Sequence, residues 1–244
     1  MMKHFVFFML GTLFLFFSCG DSVPKDTSAT PLKQFDLDSS DFPIFFIPLD
    51  SIHPFVTIFK DEKAPLEERF FRSIVMKKED SLEYVLEKYN ADMRFTEGFT
   101  FDLKKENVLI DHMMVDAYGK KRKSRIHDNL YFPYDMGEAV MFHVDFPAHV
   151  DSIVISYQSK RELIDYIPDF VVLEEEYETL VLRDSSVVTF INYYTEEEGK
   201  QLVVTNNYYA KGIGLVRFED VSGEIQFNVV RFLSDKWWNE LISN

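Results

Sequence analysis

Alternation of apolar and polar residues with a period of two recurs along the chain. From 139 to 146, Val140, Phe142, Val144 and Phe146 fall on one face and Met141, His143 and Asp145 on the other. That period marks a strand with one face buried. Residues 152–158 repeat it through Ile153, Ile155 and Tyr157. Further strands are predicted over 179–182, 187–194, 202–209, 213–218 and 224–232, with Glu196-Glu197-Glu198-Gly199 and Val221-Ser222-Gly223 as turns. Upstream, 93–103 and 108–117 read as strands, followed by a turn at Tyr118-Gly119-Lys120. Strands at this spacing predict an antiparallel meander.

Residues 65–89 carry two patterns. Leu82, Val85, Leu86 and Tyr89 have helical spacing, and Pro65 before Glu67-Glu68 resembles a helix start. Residues 69–76 and 82–89, broken at 77–80, also read as a hairpin. The hairpin is favoured because strands flank it. The apolar burst Phe42-Pro43-Ile44-Phe45-Phe46-Ile47-Pro48 is bounded by prolines and predicts an edge strand or a segment leading into the sheet. Ser234 can cap a short helix through Trp237, Trp238, Leu241 and Ile242. Adjacent tryptophans cannot both face a core, and one is expected to seal the end of the sheet. The expected fold is therefore mainly β: a curved antiparallel sheet, half-open barrel or sandwich of meandering strands, with a short C-terminal helix.

The first residues obey a different rule. Met1-Met2-Lys3-His4 is short and basic, and 5–17 contains no charge. A run of thirteen is too short for a stable span, which takes about 20 residues, and fits the apolar region of an export signal, about 7–15. It ends at Ser18-Cys19, which holds the only cysteine of the chain. The arrangement resembles the lipobox of bacterial lipoproteins, departing from it at Phe16 and Phe17, where a branched aliphatic and a small residue are usual. The resemblance implies a diacylglyceryl group on the Cys19 sulfur and cleavage after Ser18. The alternative is an ordinary secretory signal with a leftover thiol. A lone thiol is a liability in an oxidising compartment, and lipidation removes it. The expected organisation is a signal peptide (1–18), a flexible tether rich in Ser, Thr, Asp, Lys and Pro (19–40) and a β-rich body (41–244), which could divide into lobes 41–128 and 129–244.

Charge narrows the partners. Lys3 is the only charged residue before Cys19, so the remainder holds 25 Lys+Arg against 41 Asp+Glu, a formal −16. Nucleic-acid binding needs a basic footprint, and anionic headgroups repel such a body. Contact with the membrane is expected through the lipid anchor alone, on the periplasmic face or the cell surface of a two-membrane bacterium. Lys120-Lys121-Arg122-Lys123 is the one basic run and reads as a solvated hairpin tip. The glutamate triplets at 174–176 and 196–198 read as turns or solvated faces.

Candidate chemistry is sparse. Gly212-Ile213-Gly214 fails as a phosphate loop, because the third glycine would fall at Arg217 and the chain continues as a strand. It fits a tight kink between strands, or bare backbone lying under an aromatic ring. The stretch Tyr208-Tyr209-Ala210-Lys211-Gly212-Ile213-Gly214-Leu215-Val216-Arg217-Phe218-Glu219 resembles a strand-turn-strand segment of uncharacterised periplasmic lipoproteins with an open, antiparallel, barrel-like sheet. Tyr131-Phe132-Pro133-Tyr134-Asp135-Met136-Gly137-Glu138 is a weaker echo of the same group. The resemblance implies a fold and a location, and no activity. His143 and Asp145 share a strand face, and His149 follows beyond Pro147. Two ligands placed together would give only a weak site, so no tight metal and no cofactor is expected. His112 and His127 read as lone polar residues. There is no G-x-S-x-G, and the one cysteine is committed to lipidation, so no catalytic residue is assigned.

The expected function is a lipid-anchored, non-catalytic binding or assembly module with a protein partner. A second expectation is a carrier of an apolar ligand, since 12 Tyr and 25 Phe (six of them before Cys19) can line a cavity. A metal-dependent enzyme comes third. Replacing Cys19 with Ser should release the protein from the membrane fraction or stall it as uncleaved precursor, as read by fractionation and intact mass. A mature, membrane-bound mutant would refute lipidation.

Overall fold

The computed structural model describes residues 42–48, 55–64, 66–78, 81–104, 107–133, 138–148 and 152–242. Cys19 and His149 lie outside the described residues. In chain order the first elements are α1 (Phe42–Phe46), β1 (Phe55–Asp61), β2 (Glu68–Lys77), β3 (Leu82–Tyr89), β4 (Phe95–Leu103), β5 (Val108–Ala117) and β6 (Lys120–Lys123). There follow β7 (Arg125–Phe132), β8 (Ala139–Pro147), β9 (Ile153–Val172), β10 (Glu175–Asn192), β11 (Glu197–Ala210), β12 (Gly214–Asp220), β13 (Gln226–Ser234) and α2 (Asp235–Ile242).

The expected antiparallel meander is present, and it closes. The strands run β4-β3-β2-β1-β13-β12-β11-β10-β9-β8-β7-β5, and β5 pairs back onto β4, so twelve strands form a ring. The pairings are antiparallel throughout. The seam joins the first strand to the last, with Phe55 opposite Ser234 and Asp61 opposite Phe227. The β6 strand shares one edge of β5 with β7: Met114 to Ala117 face β6, while Val108 and Leu109 face β7. Positive φ at Tyr118 and Gly119 makes the tight turn between β5 and β6. All four basic residues of β6 are exposed.

Within 66–89 the described residues form the expected hairpin of β2 and β3, with Phe70 opposite Tyr89 and Lys77 opposite Leu82. The two glutamate triplets are turns only in part. Leu173 and Glu174 turn between β9 and β10, and Glu197 and Glu198 already belong to β11.

The segment from Phe42 to Pro48 departs from the edge-strand reading. It forms the short helix α1 and its exit, and Phe45, Phe46 and Ile47 are all buried. An edge strand would leave alternate side chains in water, which so continuous an apolar run disfavours. The segment plugs the ring instead. The Phe46 ring meets Phe132 at 5.0 Å, Phe101 at 5.1 Å, Tyr84 at 5.5 Å, Tyr131 at 5.6 Å and Tyr209 at 5.9 Å. Its backbone is tied to the β11–β12 turn, where the Gly212 N–H donates to the Ile44 carbonyl at 2.9 Å.

The tryptophan pair divides as expected, although the buried member lies on the wall rather than at the end of the sheet. Trp238 is buried and Trp237 exposed. Trp238 packs against Tyr89 and Phe70, beside Val56 and Ile58, on the outside of β1–β3.

Gly214 shows what the plug demands of the wall. Its φ is +82°, and a Cβ there would stand 3.2 Å from the Phe46 carbonyl oxygen. The overlying group is plug backbone, not an aromatic ring. Gly214→Val should destabilise the protein by roughly 1–3 kcal/mol, from strain at positive φ and displacement of the plug. An unchanged melting temperature would show that the position has no special geometry.

Candidate functional site

Two clusters of polar side chains bear on function, one inside the ring and one on its outer wall. Inside, a cavity of about 290 Å³ lies beside the plug, bounded by Phe46 and Pro48 and lined by residues of most strands. Midway along β9 and β10 the inward positions turn polar: Ser159, Arg161, Asp184 and Ser186 are all buried. Arg161 grips Asp184 with two hydrogen bonds of 2.6 Å, from Nε to Oδ1 and from Nη2 to Oδ2. Its Nη1 donates to the Tyr131 carbonyl at 3.2 Å, and its guanidinium lies 4.0 Å from the centre of the Tyr131 ring. Asn207 Nδ2 donates to Asp184 Oδ2 at 3.2 Å. Burial alone would lower the Arg161 pKa, but the Asp184 carboxylate, aided by Tyr131 and Tyr209, raises it, and the group is held firmly charged.

A second pair lines the same cavity. Lys88 Nζ donates to Glu97 Oε1 at 2.6 Å and sits over the rings of Phe99 and Phe71, at 5.0 and 5.1 Å. Burial opposes its charge, and Glu97 restores it, leaving the Lys88 pKa raised. Side-chain exposure rises from 3% and 7% in the Arg161–Asp184 pair to 23% and 33% in the Lys88–Glu97 pair, so water reaches the cavity from the Lys88 side. The lining offers aromatic faces, hydroxyls and two neutralised ion pairs, with no histidine or cysteine among its described residues. Such a surface can bind a ligand, and none of its described hydroxyls has a histidine beside it.

On the outside, His143 and Asp145 of β8 share a face as their spacing predicts. His127 of β7 joins them. Its Nε2 lies 2.6 Å from Asp145 Oδ2, and its ring stacks on that of His143 with centroids 4.4 Å apart. Burial would raise the Asp145 pKa, but hydrogen bonds from His127 and Ser156 and the two imidazoles lower it, so the carboxylate stays ionised. Cross-strand register continues the row from His143 to Gln158 on β9, Val187 on β10 and Leu202 on β11. Val187 and Leu202 are exposed, as are Tyr193 and Tyr194 at the hairpin tip, with Leu202 at 68% and Tyr194 at 84%. Beyond Val204, which accepts from the Val221 N–H, no described strand pairs with the outer edge of β11 over 197–203.

The sequence singled out His143 and Asp145 and left His127 aside. Arg161 and Asp184 were missed altogether. His112 of β5 stands opposite Thr100 of β4, away from both clusters. Gly212 and Gly214 hold the plug and touch no site chemistry.

No protein-family model and no curated protein sequence matches the chain. Two solved structures are similar to it. One, from Bacteroides fragilis, is assigned as an exported protein with a YmcC-like fold. It aligns with a TM-score of 0.50 and 10% identity over 77% of this chain and 98% of its own. The other, assigned as a lipoprotein of Parabacteroides distasonis, aligns with a TM-score of 0.47 and 12% identity over 76% of this chain and 95% of its own.

Arg161→Met should cost about 3–5 kcal/mol, because it strands the Asp184 carboxylate in the interior. Arg161→Met combined with Asp184→Leu should recover most of that loss. Urea midpoints at constant m-value measure both, and a double variant as unstable as the single would show that the ion pair is not the source.

Proposed function

We propose that the protein is a lipid-anchored module of the cell envelope that binds a protein partner on the outer wall of β10 and β11, without catalysing a reaction. The carrying observation is that edge. Residues 197–203 offer backbone donors and acceptors to an added strand, with Leu202 and Val187 beside them as an apolar contact. Addition of an extended segment to such an edge is a general mode of recognition. Glu197, Glu198 and Lys200 lie along it, and charges there discourage promiscuous self-pairing.

The anchor rests on Cys19 and the preceding apolar run, and the tether over 19–40 holds the body away from the bilayer, on the periplasmic face or at the surface. The fold shared with a protein assigned as exported supports an envelope location. The distribution of polarity bears on how the ring meets the bilayer. The ring buries Phe59, Phe101, Phe132 and Leu180 inside and carries Lys60, Glu68 and Lys160 outside. A barrel that spans a membrane has the opposite pattern.

The cavity favours a second reading, a carrier of a small ligand. At about 290 Å³ it lies at the lower end of ligand pockets, about 300–1,000 Å³, and its ion pairs suit an amphipathic guest better than a purely apolar one.

A photo-crosslinking residue at Tyr194 in living cells tests the first reading. A single adduct is expected, lost on Leu202→Asp and kept on Leu66→Asp, with the barrel's melting unchanged. No adduct, or one indifferent to Leu202, would overturn it. A small molecule retained by the native protein in mass spectrometry, without an adduct, would put the carrier first.

A further inference from the structure

The cluster on β7 and β8 has the makings of a metal site. Expecting no tight metal rested on two ligands, His143 and Asp145; the fold adds a third. Along the β7–β8 pairing, Ile126 stands opposite Val144 and Asp128 opposite His143, so His127 is the extra residue of a β-bulge. A bulge bends the strand and re-aims a side chain. Here it brings an imidazole 18 residues away in sequence onto the carboxylate of Asp145.

We propose that His127, His143 and Asp145 bind one divalent transition-metal ion of the zinc and copper class on the outer wall of the barrel. Three observations carry the assignment. First, one candidate ligand atom from each residue lies within 4.8 Å of the others. Second, the two histidines turn the same nitrogen to the same carboxylate: His127 Nε2 is 2.6 Å from Oδ2 and His143 Nε2 is 3.5 Å from Oδ1. Third, Ser156 of β9, the cross-strand neighbour of Asp145, supports the Asp145 carboxylate, while its 2.8 Å hydrogen bond to His143 Nε2 is one the ion displaces. A partner on the ligating carboxylate orients it in metal sites.

The donor set decides the class of ion. Two imidazole nitrogens and one carboxylate oxygen suit zinc or copper, whereas calcium and magnesium prefer oxygen donors. With metal–ligand bonds of about 2.0–2.2 Å, tetrahedral neighbours stand about 3.3 Å apart. The His127–Asp145 separation is shorter than that because a proton bridges it. The ion replaces this proton, and the two atoms separate. An ion in the plane of both rings is incompatible with the present 25° stack, so the imidazoles must splay. Rotation about χ2 is soft for histidine and permits it. The three side chains are between 27% and 30% exposed, so solvent can complete the coordination, as in open three-ligand sites.

The full chain, extracted in detergent and carrying no histidine tag, is loaded with zinc, desalted and analysed for metal. One retained ion per chain is expected, reduced at least tenfold by His127→Ala and by Asp145→Asn. Histidine NMR provides a second readout: zinc should shift the ring signals of His127 and His143 together and leave His112 unmoved. Circular dichroism and melting of each variant separate loss of ligand from loss of fold. No retained metal in the natural chain, or retention unchanged in a folded His127→Ala variant, overturns the proposal. If His127→Ala does not fold, unshifted His127 and His143 signals in the natural chain do the same.

Discussion

A ring of twelve strands is wider than its own side chains can fill, and the rest of the structure answers that constraint. Barrel diameter grows with strand number, and about eight strands already enclose just enough room for side chains to meet. At twelve, the interior needs large residues and additional chain. The protein supplies both. Its inward positions are crowded with phenylalanine and tyrosine, and α1 inserts Phe46 among five aromatic rings. Each such ring pair adds about 0.5–1.5 kcal/mol beyond the area it buries. Five of them reach the scale of a domain's whole stability margin. The short helix is therefore part of the core of the ring.

The space the plug leaves is bridged by charge. Arg161 and Asp184 span β9 and β10 with two matched hydrogen bonds, and Tyr131 and Asn207 take up remaining donor and acceptor sites. A buried pair of this sort contributes little net stability compared with apolar packing, but it tolerates no loss of one partner. Its direction is fixed, which a greasy interior of the same width would lack. The Lys88–Glu97 pair faces the same cavity from a wetter position.

Where the sequence could be read, one physical signal made it readable. Strands whose inward residues are apolar, such as β8 with Val140, Phe142 and Val144, show period two, and the meander and the β2–β3 hairpin follow from it. The same signal fails along β9 and β10. They extend over 20 and 18 residues, yet their inward positions include Ser159, Arg161, Asp184 and Ser186, so the alternation vanishes in the middle of each strand. The short runs at 152–158, 179–182 and 187–194 are the visible parts of two long strands. Ring closure was beyond reach for a different reason, since a β4–β5 pairing is compatible with both an open and a closed sheet. His127 escaped because a bulge shifts register by one residue, and no periodicity carries through it. The plug was misjudged because a short apolar run between prolines suits an edge strand and a buried turn of helix equally well.

The position of α1 in the chain has a mechanical side. It is the first described element and follows directly on the stretch between Cys19 and the body, so any tension applied from the N-terminal side reaches the plug before it reaches a strand. The plug is tied to the wall by the hydrogen bond between Gly212 and Ile44 and by ring packing. A pull along the chain would load the plug's contacts before the β-ladder, whose bonds act in parallel. Extraction would vacate the volume that Phe46 occupies and join it to the cavity beside it.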